Sequence, residues 1–413
     1  MKKAEQAFLF GNGKMPITDA IGLTIASLNE YGGRHKHWAM AWSGGKDSTT
    51  VLTVVLQLLA AGLIAPPESL TVCYADTRME IVPLWLSAQA IIKKLRSLGI
   101  NVVVAVAPMD KRFLVYMLGR GVPPPSNTFR WCTGHIKVEP MEAALLSIFQ
   151  KTGEKILTIT GVRQGESAVR DGRISQSCSK DGAECGQGWY QTGLKNDITS
   201  TLAPIIHWRL CLVWDWLKVY APSKRTDLFD EYPGLSGGGW DTSILADAYG
   251  GEDAEEINAR TGCMGCPLAS KDLALTAVCK MPKWSYLAPL LNLKPLYREM
   301  KMAKYRLRKP GGEKRKDGTL SKNQQRMGPL TIEARRHFFL QLTRIQSEVN
   351  TKADLAGMPR VDFLNDDECA RILQLQKLNT WPDGWDGTEP IANVLHHRKY
   401  ADGSVMENLF AEY

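Results

Sequence analysis

Four groups of residues in this 413-residue chain have types and spacings suited to chemistry. The first is Ser43-Gly44-Gly45-Lys46-Asp47-Ser48, which joins the apolar run Trp38 to Trp42 to a segment with Val51, Leu52, Val55, Leu58 and Leu59 on one helical stripe. Strand, glycine turn and helix is the order expected of a phosphate-binding loop at the edge of a parallel sheet. Glycines let backbone N–H groups approach phosphate oxygens, and the helix N-terminus adds donors and partial positive charge. The Walker A pattern GxxxxGK[ST] is absent. The second group is Gly161-Val162-Arg163-Gln164-Gly165-Glu166-Ser167-Ala168-Val169-Arg170. If it is helical, Arg163 and Arg170 lie two turns apart and can clamp one anion with their forks, with Glu166 to orient one of them. The third is Cys132, set between Arg130 and Lys137 in the stretch Phe129 to Pro140, where nearby cations favour thiolate. The fourth is Cys263-Met264-Gly265-Cys266, a CxxC that fits zinc, a disulfide redox pair or an iron–sulfur cluster. Cys178 and Cys185 would complete a tetrahedral zinc site with it, and Cys132 or Cys279 are further candidates.

These groups need elements to hold them. Leu70 to Ala75, Val102 to Val106 and Ile156 to Thr160 read as buried strands beside Trp38 to Trp42, separated by helical segments. Strands alternating with helices predict a parallel, doubly wound α/β sheet. Ligands in such sheets bind outside the carboxyl ends of the strands. The serine–glycine loop, the turn Asp76-Thr77-Arg78-Met79-Glu80 and the Gly161 segment all fall at those ends, so the active site is expected there. A first helix is expected in residues 1–37, capped near Thr18 and Asp19. Leu330 to Asn350 and Asn365 to Leu378 read as amphipathic helices, the second capped by Asn365 with two aspartates in its first turn.

Composition is that of an ordinary soluble enzyme, 44% hydrophobic and 23% charged. No apolar run approaches the ~18 residues of a membrane span. The stretch MKKAEQAFLFGNG is too short in apolar residues for a signal peptide, so a cytoplasmic protein is expected. Nine cysteines in that compartment suggest a metal or redox site more than a disulfide framework. Lys294 to Arg326 holds twelve Lys or Arg against three acidic residues, enough to account for the whole net charge of +8. With Tyr297 and Tyr305 interleaved, this arm suits a phosphate backbone, although a solvated surface arm reads the same way.

The loop SGGKDS resembles the PP-loop of the ATP pyrophosphatases. With Phe129-Arg130-Trp131-Cys132-Thr133 and the Gly161 segment, the chain is similar to the phosphoadenosine phosphosulfate (PAPS) reductase superfamily. Within it, Gly119 to Ser126, Thr261 to Cys266 and Gly328 to Arg335 look most like the DndC-like proteins of bacterial DNA phosphorothioation systems. The resemblance implies an adenine-nucleotide α-hydrolase (PP-loop, HUP-like) sheet with a mixed, mainly helical, cysteine-containing C-terminal region. Its implied domains are a helical segment 1–37, an ATP pyrophosphatase domain 38–220 with a cysteine-containing insertion 171–196, a CxxC region 221–293, the basic arm 294–326 and a helical region 327–413.

The same resemblance implies the roles of the residues. Ser43, Gly44, Gly45, Lys46, Asp47, Ser48, Asp76 and Gly161 would bind ATP with Mg²⁺. Asp47, Ser48, Arg163, Arg170 and Cys132 would serve the reaction. Cys132, Cys263 and Cys266, with Cys178 or Cys185, would hold a [4Fe–4S] cluster or, alternatively, Zn²⁺. The implied activity is adenylation of a DNA backbone phosphate for sulfur insertion, releasing pyrophosphate and then AMP. Its partners would be a cysteine desulfurase, DNA (or RNA) and other components of a modification complex. The alternatives are a sulfonucleotide reductase-like enzyme, a tRNA thiolation enzyme and a non-enzymatic nucleic-acid-binding protein. Reductases of the superfamily use a C-terminal cysteine, usually in ECGLH, whereas the last cysteine here is Cys369 within NDDECARI.

Overall fold

The computed structural model describes residues 15–165, 171, 189–192, 198–251, 262–309, 318–319, 326–393, 398–399 and 405–406. Arg170, Cys178 and Cys185, together with much of the insertion and of the basic arm, lie outside these residues. The chain divides into two compact units, one of Met1–Asp76, Pro83–Ala105 and Pro140–Asn258, the other of Thr77–Val82, Val106–Glu139 and Ala259–Tyr413.

The first unit is built on a six-stranded sheet. Its strands are β1 (His37–Trp42), β2 (Ser69–Asp76), β3 (Asn101–Val106), β4 (Ile156–Thr160), β5 (Trp189–Gln191) and β6 (Thr199–Ala203), in the order β3-β2-β1-β4-β6-β5. β1 runs parallel to β2 and β4, and β4 parallel to β6. Near-continuous apolar runs such as Ile156 to Ile159, buried throughout, are what a sheet covered on both faces requires. Alternation divides the two faces. Ala39, Cys73, Ala105 and Ile156 pack with Ala144 and Ile148 of the helix Glu139–Thr152. Trp38, Met40 and Trp42 point the other way, where the Trp42 indole donates to Thr49 Oγ1 of α2 (Lys46–Ala60) at 2.9 Å.

The mainly parallel α/β architecture agrees with the sequence pattern, with one addition. β5 pairs antiparallel to β6 and makes the sheet mixed. Three residues are too few to display a period of two, so this edge strand had no readable signal. The first helix, α1 (Ile17–Gly32), starts after Pro16 rather than at the expected Thr18–Asp19 cap. Its Thr24 hydroxyl accepts the Trp208 indole N–H at 3.0 Å, which ties it to the chain that follows β6.

The second unit is mainly helical. The helix Ile332–Ala356 is capped by Thr331, whose side chain accepts from the Ala334 amide, and it ends on Gly357 in the left-handed region. It buries Phe338, Leu342 and Val349 on one stripe. The helix Asp366–Lys377 opens with a full capping box between Asn365 and Glu368. Glu368 also joins two cations from elsewhere in the unit. Its carboxylate accepts from Arg78 Nε at 3.0 Å and Arg112 Nη1 at 3.1 Å, with its own side chain 3% exposed.

Removing one member of a buried ion network leaves the others desolvated without compensation. Glu368→Gln is therefore expected to lower stability by about 3 kcal/mol. Urea unfolding followed by circular dichroism measures this, and a loss below about 1 kcal/mol would place the network with weak surface pairs.

Candidate functional site

The strand order reverses between β1 and β4, since β2 and β3 lie to one side of β1 while β6 and β5 lie beyond β4. A crevice at the carboxyl ends of the two central strands follows from that reversal. Two chain segments leave the sheet there, Ser43 to Gly45 after β1 and Gly161 to Arg163 after β4.

Hydroxyl groups tie the first segment to itself. Ser48 Oγ donates to the Gly45 carbonyl at 3.0 Å and accepts from the Ser43 amide at 3.3 Å. Ser43 Oγ lies 3.0 Å from Ser48 Oγ and, since the Ser48 hydroxyl already donates to Gly45, is the donor of that contact. Thr49 Oγ1, which accepts from Trp42, donates to the Gly44 carbonyl at 3.3 Å. Gly44 adopts a positive φ of 75°, and a Cβ there would also press on Tyr74 and Ala88.

Helix α2 then begins from Gly45 without a side-chain cap. Of its first four amides, Gly45 N–H reaches Ser43 Oγ at 3.4 Å and Lys46 N–H donates to the Tyr249 hydroxyl at 3.0 Å. The amides of Asp47 and Ser48 have no hydrogen-bond partner among the described residues. Two uncommitted donors at the positive end of a 15-residue helix are suited to an oxyanion.

The side chains set the local charge. Arg163 Nε donates to Asp47 Oδ1 at 2.5 Å, and Lys46 Nζ lies 3.1 Å from Asp47 Oδ2. All three are largely withdrawn from water, with side chains 7%, 12% and 9% exposed for Arg163, Asp47 and Lys46. One carboxylate thus serves two cations, and the cluster retains one positive charge. At an effective dielectric of about 20, a charge pair 4 Å apart attracts by about 4 kcal/mol, so Asp47 holds both cations but cannot neutralise both. Gly161 permits the approach of the two segments. A Cβ on it would stand 2.6 Å from the Ser48 amide nitrogen and 2.7 Å from the Asp47 carbonyl carbon. Asp76 ends β2, parallel to and beside β1, so it lies at the same edge of the sheet.

The structure therefore brings Ser43, Gly44, Gly45, Lys46, Asp47, Ser48, Gly161 and Arg163 together within the first unit. Tyr249 joins them, a residue that sequence reasoning missed. No motif surrounds it, and its contact with Lys46 spans 203 residues.

Cys132, Cys263 and Cys266 belong to the second unit. Cys132 sits in the short helical turn Trp131–Thr133, followed by a π-helical turn Gly134–Val138. The CxxC forms a tight turn in which Cys266 N–H donates to the Cys263 carbonyl at 3.0 Å, with Gly265 at a positive φ of 62°. Cys132, Cys263 and Cys266 carry free thiols. Burial pushes the Cys263 thiol up to about 12 and also raises Cys132, against the opposing pull of Lys137. Among the described residues, no group of three or more His, Cys, Asp or Glu is placed to hold a metal ion. This overturns the expected [4Fe–4S] cluster and its zinc alternative, and it lends no support to the expected Mg²⁺. The resemblance had grouped these thiols, and although Cys132, Cys263 and Cys266 feel one another's charge, metal binding requires a full set of ligands converging on one point.

The basic arm also needs correction. Lys294 Nζ donates to the Cys266 carbonyl, Arg298 to the Ser270 carbonyl, Lys301 to the Pro125 carbonyl and Arg306 to those of Gly328 and Met327. These four cations hold backbone within their own unit, so they lend no support to the DNA-binding face that composition suggested. No helix among the described residues is long and apolar enough to cross a membrane.

Comparison with known proteins agrees with the coarse reading. Residues 37–231, a little under half of the chain, match the family model described as phosphoadenosine phosphosulfate reductase domain. An uncharacterized protein of Methanocaldococcus jannaschii is 29% identical over 186 residues, covering 45% of this chain and 37% of that protein. The chain thus spans little more than a third of the length of this curated relative. Two solved structures are similar in part. FMN adenylyltransferase of Candida glabrata, solved with FMN and an ATP analogue, is 18% identical over 48% of this chain and 56% of its own, with a TM-score of 0.30. PAPS reductase of Candida auris, solved as a phosphate complex, is 10% identical over 49% of this chain and 86% of its own, with a TM-score of 0.29. None of these matches ties the chain to DndC or to DNA phosphorothioation, and that finer resemblance is withdrawn.

The surplus charge has a measurable consequence. Asp47→Ala leaves Lys46 and Arg163 facing each other without a counter-ion and is expected to cost about 3 kcal/mol in low salt. Added pyrophosphate should then raise the melting temperature of the variant more than that of the wild type. Equal shifts in a thermal scan would show that no anion enters between the two cations.

Proposed function

We propose that residues 37–231 bind the anionic end of an adenine nucleotide at the N-terminus of α2, and that the protein is an enzyme of the sulfonucleotide reductase-like kind. The observation that carries this reading is the Lys46–Asp47–Arg163 cluster, which keeps one positive charge beside the uncommitted Asp47 and Ser48 amides. The match of this segment to the PAPS reductase domain supports an adenine nucleotide carrying phosphate or sulfate as the ligand. In this reading the two amides and the Ser43 and Ser48 hydroxyls hold the terminal oxyanion. Lys46 and Arg163 lower the cost of charge building up on that group, using donors that are oriented before the substrate arrives.

One observation favours a second reading, cleavage of ATP at its α-phosphorus with release of pyrophosphate. Cys369, the last cysteine, lies in the helix Asp366–Lys377. Burial raises its thiol, and Asp366, Glu368 and Asp362 raise it further. A thiol in that setting is a poor nucleophile for reduction. The SGGKDS loop is unaffected by this and serves either chemistry.

Calorimetric titration of the full chain with ATP and with PAPS tests the shared core of both readings. At least one is expected to bind, and adenosine, which lacks the anion, is not. Ser48→Ala should weaken the affinity by about fivefold, the scale of one lost hydrogen bond. If neither nucleotide binds, the proposal is wrong. Product analysis then separates the chemistries, since PAPS with a dithiol reductant would yield sulfite and ATP would yield AMP and pyrophosphate.

A further inference from the structure

Tyr249 lies beyond the segment matched by the family model, yet it touches the first residue of α2 in two ways. Its hydroxyl accepts the Lys46 amide hydrogen at 3.0 Å. Its ring lies under the Lys46 ammonium, with Nζ 5.0 Å from the ring centroid. The same ammonium is 3.1 Å from Asp47 Oδ2, so ring and carboxylate fix it from two directions. The hydroxyl also limits the space beside the loop, since a Cβ on Gly45 would approach it to 3.3 Å.

Tyr249 is itself held firmly. It is 2% exposed and follows the short helix Ser243–Asp247, where its amide donates to the Ala246 carbonyl at 2.9 Å. The Trp214 ring meets it edge to face at 5.2 Å and 78°, and the Lys218 ammonium lies over the far side of that stack, 5.5 Å from the Trp214 centroid. Thr242, which precedes the short helix, donates to the Leu217 carbonyl at 2.5 Å. An aromatic ledge made of two distant segments therefore supports the Lys46 ammonium.

We infer that Tyr249 is a positioning residue of the anion site, holding the main chain of Lys46 with its hydroxyl and the ammonium with its ring. This rests on the nucleotide-binding reading and extends it to a residue outside the recognised domain. A lysine loses rotamer entropy on being fixed. A cation–π contact withdrawn from water can offset that cost before any ligand arrives. The loop then meets its anion with the charge already in place.

The test uses the full chain with ATP as the probe, read by calorimetry beside a thermal scan. Tyr249→Leu removes ring and hydroxyl and is expected to weaken ATP binding about tenfold. Tyr249→Phe keeps the ring and is expected to weaken it by no more than about threefold. In a Lys46→Met background, where there is no ammonium to position, Tyr249→Leu should change the affinity by less than about twofold. An undiminished loss in that background, or wild-type affinity in the Leu variant, overturns the inference. A second measurement needs no nucleotide. Competitive acetylation, read by peptide mass spectrometry, should modify Lys46 several times faster in the Leu variant than in the wild type. A rise there with no nucleotide binding by any form would leave Tyr249 as the support of Lys46 and remove the nucleotide reading. Unchanged reactivity with intact binding would do the reverse.

Discussion

The contact on which the first unit's site depends is the 2.5 Å ion pair between Asp47 and Arg163. It joins the chain leaving β1 to the chain leaving β4 at the point where the order of strands reverses. A reversal alone opens a crevice, because neighbouring crossover connections diverge there. The ion pair gives that crevice a defined floor. It requires the two backbones to approach closely, which in turn requires a residue without a Cβ at Gly161. Three properties of the sequence thus depend on one another, namely a carboxylate at the second position of α2, an arginine two residues past Gly161, and the glycine itself. Any larger residue at 161 would push the Asp47–Ser48 backbone away and lengthen the pair.

Much of this was legible in the sequence. Ile156 to Thr160 was readable to the residue because five consecutive β-branched or leucine side chains leave few other options. The loop after β1 was readable because glycines next to a helical stripe mark a strand–helix turn. The pairing of Asp47 with Arg163 was not, although both residues stood out, since register across a parallel sheet is fixed by contacts 116 residues apart. Tyr249 gave still less signal. A support that acts through a ring face and one hydroxyl leaves no spacing rule.

The misreadings share a physical cause, which is that composition does not report what a charge or thiol is used for. Lys294, Arg306 and Arg335 are buried cations in the second unit without an acidic partner at salt-bridge distance among the described residues. Arg335 donates to the carbonyls of Gly119, Thr380 and Leu330 and lies 3.7 Å from the Trp381 ring centroid, while burial holds it down at about 9. Arg306 behaves likewise at about 10. Guanidinium groups suit this use because five donors can satisfy several carbonyls at once. Counted along the sequence such residues suggest a polyanion partner. In the fold they take the place of solvent for backbone oxygens that loops could not otherwise satisfy. The CxxC is a parallel case, in which two cysteines three apart also suit a tight turn whose Gly265 amide is bound by Asp272 at 3.0 Å.

The loop after β1 shows the opposite economy. Many polar groups around it are engaged with a neighbour in the first unit, through Ser43, Ser48, Thr49 and Tyr249, whereas the amides of Asp47 and Ser48 have no partner among the described residues. A buried donor left unpaired costs about 1–3 kcal/mol, so two of them adjacent in an otherwise satisfied loop would be a poor arrangement for stability alone. Water can meet that need only where the backbone is accessible, and Ser43 is exposed while Lys46 and Arg163 are not. The loop is thus exposed at Ser43 beside charges that are largely withdrawn from water. An oxyanion entering there gains both amides and lies beside the surplus positive charge, with no group in the loop required to give up an existing partner. That asymmetry between a saturated surround and an open helix terminus distinguishes this turn from one that merely joins a strand to a helix.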